Sequence, residues 1–166
     1  MNRRDGFTLI EMVVSLAILG ILVLGSYSSI LNSVEVRYLD NSAREIASSL
    51  QQAKWLASSQ KLNHRVRFSS TSGVWTYGIE REYPTGTWTL AAKTTVKKVP
   101  TRLTLGMNLP AGYAVVYTAL GFLTGFSSTQ STVTLASAKL GSLSQPNRWT
   151  IQVFASGSVK LTKAAG

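Results

Sequence analysis

Glu11 is the residue of the N-terminal region whose chemistry is least in keeping with its neighbours. It lies in "GFTLIEMVVSLAI", residues 6–18, and carries the single charge of the run from Phe7 to Leu24. A carboxylate inside a bilayer costs on the order of a few kcal/mol unless a cation offsets it, so an acid in such a run points to a function. Elsewhere, groups able to attack, exchange protons or hold a metal are scarce. The only histidine, His64, adjoins Arg65 where a long helix is expected to end, and a capping or surface role is expected of it. Glu80 and Glu82 fall at i and i+2 of an expected strand and share a face, with Arg81 on the other. A salt bridge at a hairpin end accounts for them more simply than paired acid and base. The chain has no cysteine and no GxSxG, Walker or HExxH pattern. No enzyme activity, metal or cofactor is expected.

Charge suggests a different kind of chemistry. Lys and Arg number 17 against 7 Asp and Glu, a formal +10. All the carboxylates (Asp5, Glu11, Glu35, Asp40, Glu45, Glu80, Glu82) lie in the first half, and from Tyr83 onward the charged side chains are Lys93, Lys97, Lys98, Arg102, Lys139, Arg148, Lys160 and Lys163. A half-chain without acids is suited to polyanions, nucleic acid or an anionic membrane surface, although a basic balance also merely keeps a domain soluble. Arg148, Lys160 and Lys163 would come within about 20 Å of one another if the last two strands pair. Aromatic rings can stack on bases, but burial in a β core is the expectation for Trp75, Tyr77, Trp88 and Trp149.

The elements that must position these residues follow from periodicity. With 166 residues, 45% of them hydrophobic, the chain fits one domain with an appendage. Residues 1–6 are short, polar and basic. Residues 7–31 are long enough, at about 1.5 Å each, to cross a hydrocarbon core about 30 Å thick. Arg3 and Arg4 place the N-terminus in the cytoplasm and the remainder outside. A cleaved secretory signal is the alternative, but the apolar run is long for one and Glu11 weakens its start. Leu39, Ala43, Ile46, Leu50, Ala53 and Ala57 then recur at steps of three and four, which predicts an amphipathic helix over 32–62 with Arg44, Glu45, Gln51, Gln52, Lys54 and Gln60 on its solvated flank. No proline precedes Pro84, so one continuous helix is expected.

From residue 63 the period changes to that of strands. "RVRFS", "VWTYGIE", "TWTL", "TRLTL", "YAVVYT", "STVTLA", "RWTIQVF" and "SVKLT" read as an antiparallel β unit over 63–166. "RWTIQVFASGSVKLT" predicts a closing hairpin that turns at Ser156 and Gly157. Residues 124–147, rich in Ser, Thr and Gly, are expected to include a mobile loop.

The opening residues resemble the class III signal of type IV pilins and type II secretion pseudopilins. In that family a short basic leader ends in glycine, here Gly6, followed by phenylalanine, here Phe7, and by glutamate at the fifth mature position, here Glu11. The resemblance implies cleavage after Gly6 by a prepilin peptidase, N-methylation of Phe7 and retention of the apolar segment. The rest of the chain is similar to the GspH/FimT branch of minor pilins and pseudopilins, through "REIASSLQQAKWLASSQKLNHRVRF", "LGFLTG" and the last hairpin. That implies an α+β, pilin-like fold: a long N-terminal helix, membrane-spanning in its first half, on an antiparallel β-sandwich-like domain.

The implied role is a minor pilin or pseudopilin in a type IV pilus or secretion pseudopilus, with other pilins, the prepilin peptidase and the inner membrane as partners. In such a filament Glu11 of one subunit neutralises the Phe7 amine of its neighbour, with pairing inside one chain as the alternative. FimT-like pilins bind DNA through a C-terminal Gly-Arg-x-Arg motif. Here "GSVK", Gly157 to Lys160, has serine for the first arginine and lysine for the second, so the carry-over is limited to Lys160. Two readings stay open: non-sequence-specific binding of double-stranded DNA through Arg148, Lys160 and Lys163, and a GspH-like pseudopilin with protein partners only.

Overall fold

An unbroken run of helix-compatible residues from Thr8 onward forms helix α1, Leu9–Gln60. The computed structural model describes residues 8–109, 113–129 and 131–164, without the side chains of 24–30. The chain divides into two compact units, Met1–Val34 and Glu35–Gly166.

The described part of the first unit is helical and apolar on every side. Leu9, Ile10, Met12, Val13, Leu16, Leu19 and Leu22 are all more than half exposed. A helix without a polar face is normally covered, by lipid or by other helices. Among the described residues no helix is long and apolar enough to cross a membrane. Before the side chains of 24–30, which are not described, the apolar stretch runs from Leu9 to Val23, about 22 Å of helix, and the expected span over 7–31 extends beyond it.

In the second unit α1 presents the stripe read from its spacing. Leu39, Ala43, Ile46, Leu50, Ala53 and Ala57 are completely buried. The alanines allow close approach, and each buried leucine or isoleucine contributes about 1.5–3 kcal/mol. Lys61, with φ of 57°, takes the left-handed conformation that ends the helix. The strands follow as β1 His64–Thr71, β2 Val74–Glu82, β3 Trp88–Leu90, β4 Lys97–Lys98, β5 Thr104–Asn108, β6 Ala114–Tyr117 and β7 Thr132–Ala136. A short helix α2, Ala138–Ser142, precedes β8 Arg148–Val153 and β9 Val159–Ala164.

They form two antiparallel sheets. One has the order β3-β2-β1-β6, with β4 also on β2, and the other has the order β5-β7-β8-β9. Val66, Phe68, Tyr77, Ile79, Val115 and Tyr117 of the first join Val133, Leu135, Ile151 and Val153 of the second in one core with the α1 stripe. The fold is α+β.

Two expectations need correction, and residues 124–147 also contain β7 and α2. Ser137 caps α2 by accepting from Leu140 N at 3.4 Å, and Leu140 is fully buried, which anchors the turn of helix. "TRLTL" becomes strand only from Thr104, because Leu103 N closes a turn onto Pro100 O at 2.9 Å. His64 is neither a cap nor at the surface. It is the first residue of β1, fully buried between its cross-strand neighbours Arg81 and Tyr117.

Candidate functional site

At the N-terminus, Gly6 and Phe7 lie outside the described residues. Thr8 Oγ1 accepts from Glu11 N at 3.3 Å, and Met12 N donates to Thr8 O at 3.2 Å, so Thr8 caps the first turn. Glu11 lies in that turn, where the helix dipole favours a carboxylate, and it is exposed. It is the only charge on the apolar surface between Leu9 and Val23.

Glu35 and Asp40 of α1 face inward to the β elements, whereas Glu45 stays on the exposed flank. Buried Glu35 accepts from Ser137 Oγ at 2.9 Å and lies 3.6 Å from Arg102, whose guanidinium covers the Tyr38 ring. Asp40 Oδ1 accepts from Trp149 Nε1 at 2.7 Å and from Lys163 Nζ at 2.9 Å. Burial raises the Asp40 pKa, but these two hydrogen bonds and the charges of Lys163 and Arg44 outweigh it and hold the group below the ordinary aspartate value. Glu45 pairs with Lys97 at 3.1 Å near the surface. Three cations of the acid-free half, Lys97, Arg102 and Lys163, are thus neutralised by α1.

The hairpin of β8 and β9 turns where its sequence suggests. Phe154 N donates to Ser158 O at 2.9 Å and Gly157 N to Phe154 O at 2.8 Å, with Gly157 at φ 74°. The turn is held against "LGFLTG": Leu123 N donates to Ala155 O at 3.0 Å, and a Cβ on Gly157 would run into the Gly121 carbonyl and the Lys54 side chain. The register pairs Arg148 with Ala164, Gln152 with Lys160 and Trp149 with Lys163. Arg148 and Lys160 therefore share the outer face, about 13 Å apart along the strands. Both are exposed and make no salt bridge among the described residues. Lys163 points to the inner face, toward Asp40. The three basic residues grouped by sequence do not form one cluster.

The other candidates have structural roles. Arg65 bonds Glu80 Oε2 through Nε and Nη2, both at 2.6 Å, and lies 4.1 Å from the centre of the Trp88 ring. Glu82 accepts from Asn63 Nδ2 and Gly86 N, each at 2.7 Å, and is not paired with Glu80. Tyr77 is buried, while Trp75, Trp88 and Trp149 are half-buried. His64 Nδ1 donates to Leu62 O at 3.0 Å, and Nε2 has no partner among the described residues. Burial pushes its pKa below the ordinary histidine value; the Leu62 bond opposes this and the nearby Arg81 adds to it. Among the described residues no group of three His, Asp or Glu side chains could hold a metal. Sequence reasoning missed the roles of Glu35 and Asp40, since nothing local marks a helical acid as facing inward.

The family model of the prokaryotic N-terminal methylation motif matches residues 1–27. Solved structures share the fold. The minor pseudopilin EpsH of the Vibrio cholerae type 2 secretion system superposes with a TM-score of 0.55 at 15% identity, over 75% of this chain and 96% of that one. The Pseudomonas aeruginosa type IV minor pilin FimU gives 0.52 at 20% identity, over 75% and 92%. None of the curated proteins matches significantly by sequence. The long helix packed on antiparallel sheets is a pilin-like fold. The chain thus joins a prokaryotic N-terminal methylation motif to a fold that it shares with a minor pseudopilin and a type IV minor pilin.

Proposed function

We propose that this chain is a minor pilin or pseudopilin of the GspH/FimT branch, cleaved after Gly6, methylated on Phe7, anchored in the inner membrane and then incorporated into a type IV pilus or secretion pseudopilus. The observation that carries this reading is the spacing of Gly6, Phe7 and Glu11 across the start of a helix whose exposed first turns are otherwise apolar. The new amine of Phe7 has an ordinary pKa of about 8 and is cationic at neutral pH. A neighbour's Glu11 offsets that charge within an apolar bundle, where an unpaired charge is costly, and so sets the axial step between subunits. Glu11→Val should leave the protein in the membrane and abolish its recovery in sheared filaments, while Gly6→Val should leave the precursor uncut. Normal incorporation of Glu11→Val would refute the reading.

A second reading is capture of double-stranded DNA on the filament. It is supported by Arg148 and Lys160, which share one outer face of the terminal hairpin and make no salt bridge among the described residues. Lys163, occupied by Asp40, is left out of it. The alternative within the branch is a GspH-like subunit with protein partners only.

A further inference from the structure

Strand β9 ends the second sheet and is the longest of the four sheet-end strands, six residues against five in β5, four in β6 and three in β3. Two hydrogen bonds fix the direction of its backbone groups. Phe154 N donates across the turn to Ser158 O, whereas Val153 N donates the opposite way, to Ser131 O at 2.9 Å. Because direction alternates along a strand, Gln152, Thr150 and Arg148 turn toward β9, and their partners Lys160, Thr162 and Ala164 turn back toward β8. Val159, Leu161 and Lys163 therefore aim their N–H and C=O groups at the open edge. None of these groups has a partner among the described residues.

The side chains define what fits there. On the inner face, Val159 and Leu161 are half-buried where Ile151 and Val153 of β8 are fully buried, so the apolar layer is open beside β9. On the outer face, Lys160 is exposed and makes no salt bridge among the described residues. We propose that β9 accepts, as an added strand, an extended segment of another protein that alternates apolar and acidic residues. Its backbone completes the ladder at Val159, Leu161 and Lys163, its apolar row extends the inner layer, and its carboxylates meet Lys160. A second copy of β9 is a poor occupant, because pairing centred on Leu161 sets two Lys160 side chains diagonally on one face with no carboxylate. DNA phosphates could accept from the edge N–H groups but carry no donors for the alternating edge carbonyls. The proposal does not depend on Gly6 processing or on Glu11, so its failure would leave the assembly reading intact.

The test uses the full chain in detergent micelles and a capped peptide of alternating valine and glutamate. Amide exchange at Val159, Leu161 and Lys163 should slow on addition of peptide, and a valine–lysine peptide should have no effect. Leu161→Pro removes one edge donor and no β8–β9 hydrogen bond, so binding should be lost while the Thr162 amide stays protected. Lys160→Glu, which leaves the backbone untouched, should weaken binding about fivefold. Unchanged exchange at the three amides, equal binding of the lysine peptide or of Lys160→Glu, or protection of these amides by a DNA duplex instead would overturn the proposal.

Discussion

Asp40 Oδ1 receives two hydrogen bonds at once, from the indole of Trp149 at 2.7 Å and from the ammonium of Lys163 at 2.9 Å. One oxygen on α1 thus holds the outer hairpin of the second sheet to the helix. Asp40→Ala, which strands both donors, should destabilise the protein by about 2 kcal/mol in chemical denaturation. Lys163→Met should cost about 1 kcal/mol or less, because the Trp149 bond survives and a half-exposed ion pair is worth little. The folded-state pKa of Asp40 is depressed, so its contribution is complete above the ordinary value of 3.8 and is lost as pH falls through the lower folded value.

His64 gives the fold a second acid sensitivity, which begins at higher pH. Its folded pKa lies below the ordinary 6.5, so the folded state favours neutral imidazole. Stability from this group is complete above pH 6.5 and declines as pH falls toward the depressed value, since the unfolded chain takes up the proton first. Thermal melts from pH 8 to pH 5 should show this decline in the wild type and a flatter profile in His64→Gln. Equal slopes would remove His64 as the cause.

Gly157 and Gly73 separate backbone strain from crowding. Both have positive φ, 74° and 77°, but a Cβ on Gly73 meets nothing while one on Gly157 strikes the Gly121 carbonyl. Gly73→Ala should cost about 1 kcal/mol and Gly157→Ala about 2 kcal/mol or more. Only the second should shift the Leu123 and Ala155 amide resonances.

If DNA binds the terminal hairpin, its salt dependence identifies the residues. Arg148→Ala and Lys160→Ala should each reduce the slope of log affinity against log salt by about 1, while Lys163→Ala should leave it unchanged. No retardation of DNA by the wild-type protein at low salt would end that reading.

The sequence by itself determined what is local and periodic. The steps of three and four from Leu39 to Ala57 specify one buried helix face, because a helix repeats every 3.6 residues whatever it packs against. The alternation of "VWTYGIE" and the Ser156–Gly157 turn specify strands and a hairpin for similar reasons. The Gly6, Phe7 and Glu11 pattern is likewise a matter of order along the chain. Only the tertiary structure decided which charges are spent. The acid-free second half looks uncompensated in sequence, but Glu35, Asp40 and Glu45 pack against it and take Arg102, Lys163 and Lys97. Burial of His64, helix α2 inside a Ser-rich stretch, and the division of Lys163 from Arg148 and Lys160 are of the same kind. Each depends on which surfaces meet across the fold, and electrostatic and burial energies depend on distance in space, not on separation along the chain.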